Sequence, residues 1–304
     1  MCGFVRQEAF QTLRVELKKL LSILLGGIAL GATAVASRIG VMEMSAMAFV
    51  ALRLALALIL FVPALWILHV ALPRGAATWR DVAIVAFTTT APLVAFTYAL
   101  NWISAGVLTV FLTLVPLFTG LLAHRILAHE KLTPAKLAGL LTSFAGVVVI
   151  LATRTSGLVG ISVSGVSTGH ALALAGSVVA AYSGVHIRRT LVDVPTPALT
   201  AGQVAISLLL VGPMALLVGG PSLADVSSKA WIAVGFTAAF GSFFAFWLLT
   251  RVAQVYGATA SAQPGYVMPL VSSALGAAML GEQLGPALIA GGLLILLGLY
   301  LANR

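Results

Sequence analysis

Charge is what this chain has least of. Only 8% of its 304 residues are charged, and Asp and Glu together number just 8. A soluble domain carries about 25% charged residues to solvate its surface. With 61% hydrophobic residues and a mean hydropathy of +1.11, the apolar content exceeds what one core can hide, so a lipid bilayer must act as a second solvent. The single cysteine, Cys2, excludes an internal disulfide and says nothing about redox compartment. A nucleic-acid partner is excluded as well, because the net charge of +9 is scattered through short loops rather than gathered on one face. The apolar stretch after the basic residues Arg6, Arg14, Lys18 and Lys19 runs straight into a long span, which argues against a cleavable signal peptide. Residues 1–19 read instead as a cytoplasmic tail. Phe10, Leu13, Leu17 and Leu20 lie at helical spacing, so a short interfacial helix and a frayed segment both fit.

What is present is a series of apolar runs, each near the ~20 residues that a helix needs to cross the hydrocarbon core. They fall at 20–38, 44–70, 80–101, 103–124, 134–153, 168–187, 197–219, 229–251, 256–280 and 285–303. The fold class is therefore an all-α membrane protein with ten transmembrane helices. Asn101 to Ser104 is the weakest separator. With the N-terminus in the cytoplasm, thirteen of the 17 Lys and Arg residues fall on the cytoplasmic side. Arg38, Arg154 and Lys229 fall outside, and Arg53 lies within a span. That asymmetry places both termini in the cytoplasm of an inner (plasma) membrane protein.

The two halves repeat. Glu130-Lys-Leu-Thr-Pro134-Ala-Lys-Leu-Ala-Gly139, followed by Gly146, recurs 152 residues on as Glu282-Gln-Leu-Gly-Pro286-Ala-Leu-Ile-Ala-Gly291, followed by Gly298. Arg53 with Pro63 corresponds to Gln203 with Pro213, and Pro116 to Pro269. Five spans per repeat is an odd number, so the second repeat must enter from the opposite side, as in the inverted repeats of secondary transporters. The expected organisation is a first five-helix repeat at 20–153, an outer linker at 154–167 and a second repeat at 168–304. "ALRLALALIL" around Arg53, "YALNWISAG", "VPLFTGLLAHRILAHEKLTP" and its counterpart "MPLVSSALGAAMLGEQLGP" resemble the EamA family of the drug/metabolite transporter superfamily, over almost the whole chain. The first and sixth spans lack the Trp that many members carry there, so no subfamily substrate can be carried over.

Arg53, the only charge well inside a span, must face protein or water. It either anchors a substrate anion or a gating hydrogen bond, or locks the fold through backbone carbonyls. Glu130 and Glu282 precede helix-starting prolines, where a carboxylate caps a helix; proton coupling is the sharper alternative. His186 beside Arg188 can titrate or simply bind backbone. The remaining candidates are polar and aromatic groups near prolines and hydroxyls: Thr89 ahead of Pro92, Thr113 ahead of Pro116, Tyr182, Phe244 and Trp247, and Gln263 with Tyr266 at an interruption of the ninth span. Each has a packing role as its bland alternative. Gly27 and Gly31, and the pairs Gly139/Gly146 and Gly291/Gly298, mark close helix contacts.

No Asp or Glu is expected near mid-span, which argues against an antiporter of organic cations. The expected function is export of small metabolites (amino acids or related neutral, zwitterionic or anionic solutes) by alternating access. Drug efflux or lipid flipping on the same fold is the nearer alternative. An intramembrane enzyme lacks a nucleophile–base pair or metal-ligand spacing among the five histidines. No cofactor or metal is expected. The partners are a small-molecule substrate and the lipid bilayer, and the oligomeric state is open, a monomer being the simplest case.

Overall fold

The computed structural model describes residues 2–99, 102, 105–152, 168–218, 225–280 and 286–303. Asn101, Arg154 and Glu282 lie outside them. Among the described residues the regular structure is helical throughout: α1 (Cys2–Val41), α2 (Ala46–Ile67), α3 (Ala76–Ala99), α4 (Ala105–Thr113), α5 (Val115–Ile126), α6 (Pro134–Ala152), α7 (Thr168–Thr190), α8 (Thr196–Val218), α9 (Ser228–Phe236), a π-helical segment (Thr237–Ala245), α10 (Phe246–Tyr256), α11 (Ala258–Ala262), α12 (Pro264–Leu280) and α13 (Pro286–Ala302). Without water to solvate a peptide group, a chain crossing lipid must satisfy its own backbone, and the helix does so residue by residue.

Six described stretches are long and apolar enough to span a bilayer: Arg14–Val41, Ala46–Ile67, Leu108–Ile126, Thr168–Thr190, Thr196–Val218 and Ser228–Tyr256. Pro134–Ile150 and Pro286–Ala302 are apolar but shorter. α3 carries Arg80, Asp81 and three consecutive threonines, and α12 is cut to 17 residues by the break before Pro264. The tail expected at 1–19 is not a separate element: α1 runs 40 residues without interruption. The stretch from Arg6 to Leu25 is rich in strong helix formers, and an i,i+3 pair between Glu16 and Lys19 at 3.7 Å supports the turn where a boundary was expected.

The packing has a two-fold logic. α6 and α13, the repeat-equivalent helices, lie against each other and run antiparallel. Gly139 meets Gly298 while Gly146 meets Gly291. Because 298 is the repeat equivalent of 146 and 291 that of 139, each residue contacts its partner's counterpart, the signature of a two-fold interface. α2 and α8 pair in the same manner, and α3 packs on α7 as α9–α10 packs on α1. α1 and α7 also seat equivalent helices. Gly27 and Gly31 let α1 approach Val267, Val271 and the Met268 carbonyl of α12, while Ser177 of α7 donates to the Phe111 carbonyl of α4 at 2.7 Å. Small residues and short hydroxyls thus replace the hydrophobic effect, which does not distinguish a side chain from a lipid tail.

Candidate functional site

The fourth and ninth spans, which correspond in the two repeats, each lapse for a single residue, Leu114 and Gln263, about one turn apart in the repeat register. α4 stops at Thr113 and α5 resumes with Pro116 in its first turn; α11 stops at Ala262 and α12 resumes at Pro264. Proline removes a donor and blocks the preceding turn. The two breaks lie side by side: a Cβ placed on Gly265 would be 3.6 Å from Pro116 Cγ. Beside them is a cavity of about 250 Å³ walled by both halves. Its polar lining consists of Thr89, Thr119, Ser183, Gln203, Thr250 and Ser261. The rest is apolar or glycine, and no charged residue among the described ones lines it.

The hydroxyls are mostly tethered to backbone. Thr89 donates to the Val85 carbonyl at 2.8 Å, and Ser261 to that of Ala258 at 2.8 Å. Thr119 bonds the Val115 carbonyl and, at 3.3 Å, that of Ala181 on α7. Since the Thr89 proton is committed, Gln203 must turn its nitrogen to Thr89 Oγ1, at 3.3 Å. Its Oε1 is then buried without a partner. A buried unpaired acceptor is a standing cost of ~1–3 kcal/mol unless something occupies it at times.

At the basic end of the bundle the cavity is bounded by ties between elements. His186 Nε2 lies 3.4 Å from Asp81 of α3, without hydrogen-bond alignment, and its Nδ1 lies 3.3 Å from the Tyr182 hydroxyl. Gln254, buried in α10, donates to the carbonyls of Leu191 and Val194, and accepts from Thr196. Glu130 does not cap the helix that follows it, as its place ahead of Pro134 implies. It caps α11, in the other half, accepting from the N–H groups of Ala258 at 2.9 Å and Thr259 at 3.4 Å. Arg188 lies 3.5 Å from the same carboxylate and also donates to the Gln254 carbonyl. Gly257, at φ +102°, gives the turn that presents those donors.

The opposite end is tied by Glu43, whose two oxygens accept from Ser227 N and Oγ at 2.7 Å each. Ser227 also caps α9. These bonds hold the Glu43 carboxyl below its ordinary value, the backbone N–H contributing most. A lowered folded pKa means the tie is fully present above the unfolded carboxylate value of about 4.3 and is lost as pH falls through the folded value. Wild type is therefore expected to unfold at a higher temperature than Glu43→Gln at pH 6 and above. The two melting curves should converge as the pH is brought below about 4. A pH-independent difference between them would refute the assignment.

Arg53 does not line the cavity. Its Nε donates to Ser242 Oγ at 2.9 Å, joining α2 to the π-helical segment, and Gly241 of that segment packs on Thr33 of α1. Of the nine residues singled out in the sequence, Thr89 alone is on the cavity wall. Thr113 is buried and bonded to the Val110 carbonyl. Tyr182 sits behind the wall with His186. Trp247 packs edge-on against Phe243 in the cluster joining α2 and α8. Phe244 is 39% exposed on the outside of the bundle. Gln263 accepts from Asn303 and faces a second cavity, and Tyr266 is fully buried among α6, α12 and α13. The sequence offered Ser183 beside Tyr182, and it lines the cavity; Thr119, Thr250 and Ser261 carried no such signal. Gln203 carried a signal, as the neutral repeat counterpart of Arg53.

These features define a polytopic membrane protein whose two equivalent helical halves border a shared cavity beside a pair of proline-interrupted helices. The chain belongs to the EamA-like transporter family, whose profile matches it twice, at residues 17–152 and 167–304. No curated protein matches the sequence. A crystal structure titled only as that of a protein superimposes with a TM-score of 0.79 at 22% identity, over 94% of this chain and 96% of its own. At that identity the likeness concerns the fold.

Proposed function

We propose that the protein is a secondary transporter that exports small neutral or zwitterionic metabolites, amino acids among them, across the inner membrane by alternating access. In this reading ten spans form two inverted five-helix repeats, with both termini and the basic end of the bundle in the cytoplasm. The observation that carries it is the meeting of the two proline-broken helices at a cavity shared by both halves. Interrupted segments in corresponding positions of two repeats are where transporters place their solute. The antiparallel packing of α6 on α13 supports the inversion, because their equivalent N-termini then lie at opposite ends of the bundle.

The lining supports the solute class. A cavity of about 250 Å³ is below the ~300–1,000 Å³ typical of drug-sized ligands, which disfavours drug efflux. Anionic solutes fit less well, since no Lys or Arg among the described residues faces the space. Gln203 offers an acceptor to an ammonium or amide N–H once its side chain turns inward. Arg53 holds the π-helical segment to α2 and acts on opening rather than on the solute. Reconstituted in liposomes, the full chain is expected to accelerate flux of at least one amino-acid-sized solute. Gln203→Leu is expected to weaken apparent affinity about tenfold by removing the acceptor. Rates equal to those of empty liposomes across a broad panel of such solutes would overturn the assignment.

A further inference from the structure

A second cavity, of about 260 Å³, lies at the basic end of the bundle, where the start of α6, the end of α13, the charged part of α1 and the α11–α12 break converge. The break in the ninth span has two faces. Ser261, Ala262, Pro264 and Gly265 look into the central cavity, while Ala260 and Gln263 look into this one. Its rim carries three ammonium groups, Lys19, Lys131 and Lys136, against one carboxylate, Glu16. Glu16 is 3.7 Å from Lys19. Neither Lys131 nor Lys136 has an acidic partner at ion-pair distance among the described residues. The nearby Glu130 carboxylate is committed to α11 and Arg188.

The floor of the cavity is polar and incompletely paired. Gln263 is only 1% exposed. Its Oε1 accepts from Asn303 Nδ2 at 2.7 Å, and that nitrogen is identified as nitrogen because it also donates to the Leu299 carbonyl at 2.7 Å. Gln263 lines the cavity with its Oε1 engaged, which leaves Nε2 as the donor it can offer, unbonded among the described residues. Thr133 accepts from the Lys136 N–H at 3.2 Å, which leaves its own O–H free to donate. The positive end of the α6 dipole at Pro134 and the negative end of α13 at Ala302 both meet the cavity and offset each other, so side chains set its charge. Donors and positive charge select for an anion, and the three ammoniums outnumber the one carboxylate on the rim.

We propose that this cavity is a binding site for a phosphate-bearing anion, held by Lys19, Lys131 and Lys136 at its rim and by Gln263 Nε2 at its floor. The chemistry is shared by the phosphodiester of an anionic lipid and by a soluble phosphate. Basic pockets between helices at the cytoplasmic surface are suited to the former. The bound anion would brace the broken ninth span from behind, on the face away from the central cavity. The site stands on its own residues and does not depend on what the central cavity carries.

The test uses the purified full chain in a neutral detergent. Native mass spectrometry follows binding of dioleoyl-phosphatidylglycerol against dioleoyl-phosphatidylcholine, and calorimetry follows inorganic phosphate. Saturable phosphatidylglycerol binding at one site with phosphate inert identifies a lipid headgroup. Phosphate binding that competes with the lipid identifies a soluble source. Lys131→Gln is expected to weaken binding about fivefold and the triple Lys19→Gln, Lys131→Gln, Lys136→Gln variant about a hundredfold. Gln263→Leu should weaken it with no change of charge. Lys18→Gln, exposed on the same helix but away from the cavity, should leave it intact. If the triple variant fails to fold, Lys131→Gln against Lys18→Gln decides, because both side chains are exposed. Absence of binding by either ligand, or an equal loss in Lys18→Gln, would overturn the site.

Discussion

Gly139→Ala and Gly298→Ala are each expected to destabilise the protein by about 3 kcal/mol, at the upper end of what a single added methyl costs in a packed interior. A Cβ on Gly139 would lie against the Ala302 backbone nitrogen and 2.6 Å from the Gly298 carbonyl oxygen; one on Gly298 would lie 2.5 Å from the Gly139 oxygen. Both obstacles are main chain, so no rotamer change relieves them, and the helices must separate along their length. Separation forfeits the close contact that holds helices together in lipid, along with the Ser143 bond to the Ile295 carbonyl. The intrinsic helix preference of Ala over Gly, about 1 kcal/mol, works in the opposite direction and is too small to compensate. Gly235→Ala is the control. Nothing lies within 4 Å of its added Cβ, so only the propensity gain of about 0.5–1 kcal/mol remains. Reversible unfolding in detergent micelles measures all three, and a Gly139→Ala protein as stable as Gly235→Ala would disprove the account.

Glu130→Ala is the second large effect. The substitution leaves the Ala258 and Thr259 N–H groups of α11 without their acceptor and removes the carboxylate beside Arg188. Charge-assisted hydrogen bonds of this kind contribute about 1.5–3 kcal/mol, and the loss falls on the short helix that leads into the central break. Reconstituted transport is therefore expected to fall at least tenfold, more than the drop in global stability alone accounts for. Glu130→Gln keeps one acceptor oxygen in place and should retain about half of the stabilisation. Flux and thermal midpoint measured together separate the two effects. Glu130→Ala with wild-type flux would show that the tie between the halves is dispensable.

Family membership and the paired character of the chain were legible in the linear pattern. The recurrence of Glu-x-Leu-x-Pro with its trailing glycines at an offset of 152 does not depend on folding, and the family profile matches the chain twice. The close seating of α6 on α13 was legible too, because glycines seven residues apart return to one helix face and only close contact uses them. Prolines in the fourth and ninth spans marked the breaks, and Thr89 was on the wall.

Most of the nominated side chains nonetheless fall elsewhere. Aromatic and hydroxyl groups in an apolar helix look alike in sequence whether they meet lipid, a neighbour or a cavity. Which occurs depends on the helix's rotation about its own axis, and neighbours set that rotation. Phe244 faces outward while Phe246, two residues on, lines the cavity. The π-helical segment at Thr237–Ala245 shifts this register, and nothing in its composition announces it.

Local periodicity, charge asymmetry and repetition are properties of the chain order, so the membrane class, the doubling and the small-residue contacts followed from residue types alone. Partnership across the bundle is not such a property. That Glu130 caps a helix 128 residues away, that Arg53 binds Ser242 rather than a solute, and that Gln263 turns from the central cavity to a basic one behind it depend on which helices lie side by side. Those adjacencies arise when the two halves close on each other, because a buried polar group must take whichever partner packing brings within reach.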